Sequence, residues 1–192
     1  MEIMCDIETL GKGYLPAIIQ IAAVPFNFAD NANTDLTKYG TFNQYLSLKE
    51  NKKVGFIPDQ DTLEWWVQQS RDALDVLSCA SNSKATAYEV FGDFGKWLYE
   101  IKKIDKSLKI WGNGSLFDNR ILLDAFKHLE MNVEWGYKDD MDMRTIMRVA
   151  ELTASFDKTK IVKNPNWVKH DGLHDCYSQI GDVKAAYNAI KR

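Results

Sequence analysis

Two acidic residues, Asp6 and Glu8, lie inside an apolar segment near the start of the chain. In an extended strand the side chains repeat every two residues, so both carboxylates would share one face, about 7 Å apart along the backbone. Two carboxylates in a largely buried strand are unfavourable unless cations or hydrogen bonds compensate their charge. A bound divalent ion is the direct compensation. The alternative is a pair on the solvated face of an edge strand, with no chemical role.

A third carboxylate, Asp118, follows a turn that contains Gly112 and Gly114 and stands at the start of a predicted helix. Asp is a preferred N-cap residue, so one interpretation is that Asp118 only accepts backbone N–H groups. The other interpretation is a site. The two glycines allow a close approach to the backbone at the end of a strand, where open α/β sheets place their ligands.

A histidine and an acid five positions apart, His170 and Asp175, form the third fragment. His174 and Asp171 lie beside them and offer the same chemical groups. Asp182 follows Asp175 by seven residues and would lie on the same helical face. Spacing alone therefore leaves the choice among these residues open.

The three fragments together supply four carboxylates and one imidazole. Oxygen ligands favour Mg²⁺ or Mn²⁺ over zinc. Two such ions stabilise the attacking and leaving oxygens of an in-line displacement at phosphorus. His170 is the candidate general base, because an imidazole with a pKa of about 6.5 is largely neutral at pH 7.

The segments that must position these groups alternate between strand and helix patterns. Apolar, branched or alternating residues predict strands at 2–9, 18–28, 41–48 and 108–111. Helices are predicted after Asp61, from the capping-box pair Thr86 and Glu89 to about 104, and at 121–129, 143–152 and 173–190. A lysine-rich loop is predicted at 157–169. This order indicates an α/β domain with a mixed central sheet.

Composition narrows the class of protein. A chain of 192 residues, 45% of them hydrophobic and without a linker or repeat, predicts one domain over 1–192. The net charge of −3 means that any phosphate contact is local or metal-assisted. Three scattered cysteines argue against disulfides or zinc and favour a cytoplasmic protein, in the host cytoplasm if a phage encodes it. The longest apolar stretch, 17–28, is too short to span a membrane.

The three fragments resemble, in order and spacing, the exonuclease motifs of the DnaQ-like, DEDDh-type 3′–5′ exonucleases. They are Asp6-Ile-Glu8-Thr-Leu-Gly, Trp111-Gly-Asn-Gly-Ser-Leu-Phe-Asp118 and His170-x4-Asp175. The segments Thr62-Leu-Glu-Trp-Trp and Asp142-Met-Arg144-Thr look more narrowly like the phage exonuclease A type and its exoribonuclease-like relatives.

The resemblance implies an RNase H-like fold with a mixed five-stranded sheet flanked by helices, and hydrolysis in the 3′ to 5′ direction. It selects His170 with Asp175. It also implies that Asp6, Glu8 and Asp175 bind one divalent ion, that Asp6 is shared with a second, and that Asp118 supports the second. Leu10 and the turn after it would wedge against the terminal base. The substrate contacts implied are Thr9, Leu10, Gly11, Asn113, Phe117 and Arg144.

The expected partner is single-stranded nucleic acid, with DNA preferred because of the phage resemblance. Aromatic stacking and basic groups bind single strands, and four lysines near Trp167 are candidates for guiding one. They are Lys158, Lys160, Lys163 and Lys169. RNA, very short oligonucleotides and a non-catalytic binding module are the alternatives, although a full set of site residues argues against the last. A monomer and a homodimer are both left open.

Overall fold

Five strands form one mixed sheet, and a computed structural model places them in the order β3-β2-β1-β4-β5. The structure describes residues 1–29, 40–114 and 116–191. The strands are β1 Glu2–Thr9, β2 Ile18–Phe26, β3 Phe42–Tyr45, β4 Lys109–Gly112 and β5 Asp140–Asp142. Antiparallel pairs join β1 to β2 and β2 to β3, whereas β4 runs parallel to both β1 and β5. The central strand β1 is therefore enclosed by neighbours on both edges.

Burial of β1 and β2 follows from their apolar, branched sequences. All nine residues of β2 are buried, as are seven of the eight in β1. Asp6 lies opposite Ala22, and Glu8 lies opposite Gln20. The pairing shifts register between Glu8 and Thr9. Because β1 is central and covered on both faces, the alternative that its acidic pair lies on a solvated edge strand is wrong.

Seven helices are found in the described part of the chain. They are α1 Leu48–Lys53, α2 Gln60–Trp66, α3 Arg71–Asn82, α4 Ala87–Ile104, α5 Asp118–His128, α6 Met143–Thr153 and α7 Gly172–Ile190. Helices α4 and α5 bury their apolar residues in one core cluster with the sheet, whereas α6 and α7 contribute to a second cluster. A third cluster packs α2 and α3 against the β1–β2 turn. None of the helices described is long and apolar enough to cross a membrane.

Three local features differ from the sequence predictions. The third strand is shorter than 41–48, because Ser47 caps α1 by accepting a hydrogen bond from the N–H of Glu50. Helix α3 was not predicted; its buried face consists of Ala73, Val76 and Ala80, which give a weak apolar pattern. Strand β5 was also missed. Its sequence Asp-Met-Asp has no apolar alternation, and only its pairing with β4 makes it a strand.

Candidate active site

The four predicted carboxylates and His170 line one cleft of about 320 Å³ at the end of β1. Asp6 and Glu8 come from β1, Asp118 begins α5, and Asp175 lies in the first turn of α7. Asp6 and Glu8 are each 8% exposed and Asp118 is 4% exposed. Residues separated by up to 169 positions in the sequence thus meet in one largely buried acidic site.

Asp118 is held against β1 and is not a helix cap. Phe117 occupies the N-cap position of α5 and makes no side-chain cap hydrogen bond. Asp118 Oδ1 instead accepts a hydrogen bond from the backbone N–H of Ile7, at 3.3 Å. A Cβ at Gly112 would come within 2.8 Å of Asn119 Oδ1 and 3.3 Å of Asp118 Oδ2. The glycine therefore permits the close approach of α5 to β4, and the N-cap interpretation is wrong.

Helix α7 reaches the site because its first turn packs tightly on β2. The N–H of Gly172 donates to Gln20 Oε1 at 2.8 Å, and a Cβ at Gly172 would lie 3.2 Å from Ala22 Cβ. Asp171 caps the helix by accepting from the N–H groups of Leu173 and His174. Gly172 and its hydrogen bond to Gln20 therefore bring Asp175 on α7 close to the carboxylates of β1.

Gln179 is a site residue that the sequence predictions missed. Its Nε2 donates to Asp6 Oδ1 at 2.6 Å, and the side chain is 6% exposed. Gln179 lies four residues after Asp175 and so occupies the same face of α7. That spacing was a usable signal, since a helix that presents one acid to the site presents its i+4 neighbour as well.

His170 lies immediately before α7, on the rim of the cleft. Its backbone is in the left-handed region with φ of 66°, and its N–H donates to Asp175 Oδ2 at 3.1 Å. The imidazole meets the Trp65 ring edge-on, with centroids 4.8 Å apart. The neighbouring Trp66 is anchored, because its Nε1 donates to the carbonyl of Thr9 at 2.8 Å. The Trp-Trp pair of α2 therefore forms a wall behind the histidine.

The competing residues have other partners. His174 Nδ1 accepts from the N–H of Val168 at 3.2 Å and lies 3.8 Å from Asp171 Oδ1. Asp182 reaches the edge of the cleft, but its carboxylate is paired with Lys163. The structure thus brings His170 and Asp175 into the carboxylate cluster and engages His174, Asp171 and Asp182 elsewhere.

Burial raises the pKa of Asp6 and of Glu8 well above the usual range of a carboxyl group. Neighbouring carboxylates add to the effect, chiefly Asp118 on Asp6 and Asp175 on Glu8. Burial also raises the pKa of Asp118 to about 7, against the lowering effect of the Ile7 N–H. The pKa of Asp175 rises for the same reason, and the N–H of His170 opposes it. The protein therefore holds four mutually repelling carboxyl groups together.

This donor set fits divalent cations. Among the described residues, one group of three metal-ligating side chains lies close enough to share an ion: Glu8, His170 and Asp175, with ligand atoms within 4.8 Å of one another. The buried oxygens of Asp6 and Asp118 extend the group. A hard cation prefers oxygen ligands and offsets the repulsion that raises the carboxyl pKa values.

The six predicted substrate residues divide into three groups. Thr9 and Phe117 line a cavity of about 300 Å³ beside Glu8. Asn113 and Arg144 line the central cleft, and Arg144 Nε donates to Asn113 Oδ1 at 3.2 Å.

Leu10 and Gly11 do not line these cavities. Leu10 is 4% exposed and packs in the cluster of α2 and α3, and a wedge of Leu10 and the turn after it against a base stays a prediction. Gly11 is also buried, and a Cβ there would lie 3.1 Å from the carbonyl oxygen of Ile57. Both residues shape the turn after β1 instead.

The four lysines of the 157–169 segment do not form one cluster around Trp167. Lys163 is held by Ser178 and Asp182 on α7. Lys169 lines the central cleft, whereas Lys158 lines a neighbouring cavity. The ring of Trp167 stacks on Tyr177, with centroids 6.0 Å apart. Lys158 and Lys163 line the same neighbouring cavity, and the role of these lysines in guiding a strand stays a prediction.

Three known nucleases are similar to this chain over most of its length. Exodeoxyribonuclease of Enterobacteria phage T4 is 24% identical over 212 residues, which cover 96% of this chain and 88% of the phage protein. The crystal structure of cell-death related nuclease 4 (CRN-4) matches with a TM-score of 0.67 and 15% identity over 97% of this chain. The nuclease domain of 3′hExo, a DEDDh family member bound to rAMP, matches with a TM-score of 0.57 and 14% identity.

The coverage of these two structures differs. This chain spans 63% of the CRN-4 chain, whereas the match to 3′hExo covers 96% of this chain and 89% of that one. Both likenesses show the RNase H-like fold of DEDDh nucleases, as the resemblance implied. The family model that matches this chain implies divalent metal ions and a nucleic-acid substrate.

The family described as the 3′-5′ exoribonuclease Rv2179c-like domain matches residues 1–187. This chain therefore belongs to that family of DnaQ-like nucleases and is a 3′–5′ exonuclease.

Proposed function

We propose that this protein removes nucleotides from the 3′ end of single-stranded DNA by a two-metal-ion mechanism, with His170 as the general base. The observation that carries this proposal is the convergence of four carboxyl groups and one imidazole in a single cleft. The products are nucleoside 5′-monophosphates, because the bond broken joins the 5′ phosphate of the last nucleotide to the preceding sugar.

The carboxylates divide between two ion positions. Asp6, Glu8 and Asp175 would hold the first ion, and Asp6 and Asp118 would hold the second. When bound, Mg²⁺ or Mn²⁺ neutralises this cluster and stabilises the attacking and leaving oxygens at phosphorus. Gln179 keeps Asp6 oriented through its 2.6 Å hydrogen bond, which also favours the charged carboxylate.

His170 takes the proton from the attacking water. Burial lowers its pKa below the usual 6.5, and the charge of Lys169 lowers it further. The imidazole is therefore neutral at pH 7, as a general base must be. The hydrogen bond from the backbone N–H of His170 to Asp175 and the edge-on contact of the imidazole with Trp65 hold the ring beside the carboxylates.

The cavity beside Glu8 is the place for the 3′-terminal nucleoside. Trp65 and Phe117 line it, together with Thr9 and Lys12. Aromatic faces stack on any base, so such a pocket suits an enzyme that removes every nucleotide in turn. Arg144, beyond its contact with Asn113, has further guanidinium donors for a phosphate oxygen.

DNA is the proposed substrate because the T4 relative is named an exodeoxyribonuclease. RNA is the second candidate, and the family description as an exoribonuclease domain favours it. The two differ by the 2′-OH, which a pocket either accommodates or rejects.

The test gives the purified protein 5′-labelled single strands of DNA and RNA with one sequence, in Mg²⁺, Mn²⁺ or EDTA. We expect a ladder that shortens by one nucleotide from the 3′ end, faster on DNA, absent with EDTA or Asp6→Ala, and about 10²-fold slower to form with His170→Ala. The matched control is Lys160→Ala, which removes an exposed charge that lines none of the three cavities described here. Faster shortening of the RNA strand would show that RNA is the preferred substrate. Cleavage that survives chelation and both substitutions overturns the two-metal mechanism.

A further inference from the structure

A second groove opens from the acidic cleft and shares no lining residue with the cavity beside Glu8. It has a volume of about 530 Å³ and lies between α6 and the segment 158–163. Asn113, Met143, Arg144 and Asp182 line both the groove and the cleft. The cavity beside Glu8, which Trp65 lines, shares Ile7, Glu8 and Phe117 with the cleft. The three spaces therefore form one trench with the carboxylates in the middle.

The groove carries an excess of positive charge. Arg144, Arg148, Lys158 and Lys163 line it, against Glu151 and Asp182. Both acids are already paired, Glu151 with Arg148 at 3.2 Å and Asp182 with Lys163. The ammonium of Lys158 has no ion-pair partner among residues 1–29, 40–114 and 116–191 and is exposed. In a chain with a net charge of −3, this local excess favours an anionic ligand.

The floor of the groove is apolar. Met143 and Met147 lie there, 8% and 7% exposed. Methionine side chains are polarisable and adapt to flat aromatic surfaces of different shape. A cationic rim over a methionine floor thus presents one surface for a phosphate and another for a base, which together are the parts of a nucleotide.

We propose that this groove binds the nucleotide on the 5′ side of the scissile phosphate, with its base on Met143 and Met147 and its 5′ phosphate near Lys158 and Arg148. This inference rests on the proposed function, which puts the last nucleoside at Trp65 and the scissile phosphate at the carboxylates. The strand then continues along the trench into the groove, which shares lining residues with the cleft. Lys158 and Arg148 contact the first phosphate beyond the one that is cut.

The test replaces single phosphates in the substrate by neutral methylphosphonates. One oligonucleotide carries the neutral linkage one step 5′ of the scissile bond, and a control carries it five steps further. Release of the labelled 3′ nucleotide in a single turnover gives kcat/KM for wild type, for the double variant Lys158→Ala with Arg148→Gln, and for the matched control Lys160→Ala. Lys160 is an exposed lysine two positions away that does not line the groove.

For wild type and Lys160→Ala, we expect the near neutral linkage to lower kcat/KM roughly fivefold, the effect of one partly exposed ion pair. The distant linkage should have little effect. Lys158→Ala combined with Arg148→Gln should lose the same fivefold on the natural strand and show no further loss with the near linkage. An unchanged linkage effect in that double variant overturns the groove assignment, while cleavage itself leaves the proposed function standing.

Binding provides a second measurement that needs no cleavage. In an Asp118→Asn background, anisotropy of a labelled oligonucleotide gives affinity as a function of salt. Removing Lys158 should flatten the slope of log K against log salt by about 0.7, the value for one phosphate contact on a single strand. An unaltered slope after removal of Lys158 counts against the inference. A lack of binding by the Asp118→Asn protein with its groove intact does so as well.

Discussion

The two sides of the cleft hold their functional groups in different ways. On one side, Asp6, Glu8 and Asp118 are nearly inaccessible, and the central strand β1 or its neighbour α5 fixes each of them. On the other side, His170 is half-buried and lies in a loop with left-handed backbone, held by one hydrogen bond and by the Trp65 ring. The strand side is fixed by the core of the protein, whereas the loop side is fixed by a few contacts.

This difference matches the chemistry proposed for each side. Carboxylates that bind cations must be held together against their repulsion, and only a packed core provides that constraint. A general base needs access to water and a pKa below neutral, which a partly exposed loop supplies. Activity should therefore depend on the charges of the carboxylates on the strand side and on the position of His170 on the loop side.

The largest effect is expected from the carboxylates of the site. Asp175→Asn should lower kcat by at least about 10³-fold, because several kcal/mol of transition-state stabilisation depends on the ion it helps to hold. The control is Asp182→Asn, on the same face of α7, which should change kcat by no more than about threefold. Steady-state hydrolysis of a labelled oligonucleotide measures both. Equal losses of kcat in the two variants would mean that Asp175 contributes no more to catalysis than Asp182 does.

A loss of about 10²-fold in kcat is expected for His170→Ala, the usual contribution of a general base. His174→Ala is the matched control, since that imidazole accepts a hydrogen bond from Val168 and lies outside the carboxylate cluster. Metal affinity, measured by calorimetry, should change little in either variant. A His170→Ala protein that keeps full activity would show that the loop side supplies no base.

A smaller effect, about tenfold, is expected for Trp65→Ala, because the imidazole then loses the wall that orients it. The decrease should fall on kcat as well as on KM, since Trp65 also lines the terminal-nucleoside cavity. Trp65→Phe should recover most of kcat. Val67→Ala, at a side chain 72% exposed at the C-cap of the same helix, is the control. A change in KM alone would assign Trp65 to substrate binding only.

The smallest effect concerns stability without metal. The folded-state pKa of Asp118, about 7, exceeds its ordinary value of 3.8, so its stabilising contribution is present below pH 3.8 and is lost as pH rises through 7. Asp118→Asn removes this titration. In EDTA at pH 8 the variant should gain about 1–2 kcal/mol, or roughly 2–8 °C in Tm, and at pH 5 less.

Thermal unfolding in EDTA and in Mg²⁺ measures this effect. Mg²⁺ should raise the Tm of wild type more than that of Asp118→Asn, because ligand binding stabilises only the protein that binds it. Asp75→Asn, at an exposed position of α3, should show neither effect. A lower Tm for Asp118→Asn in EDTA at pH 8 would mean that burial does not penalise this carboxylate.

The sequence was informative where a local pattern encodes the element. The strand at Glu2–Thr9, the capping box at Thr86 and the final helix that carries Asp175 match the structure closely. It was uninformative for β5, whose three residues have no strand pattern. The sequence also did not show that Leu10 is buried, because burial depends on what packs over the turn, and α2 and α3 cover it.

By itself, the sequence determined the types of chemical group and the elements that carry them: two carboxylates on one face of a strand, one at a helix start and one in the first turn of the last helix. Tertiary structure decided which groups meet. It assigned Asp118 to Ile7, Asp182 to Lys163 and Gln179 to Asp6. These contacts join residues far apart in the chain, so their energies depend on packing that no local pattern contains.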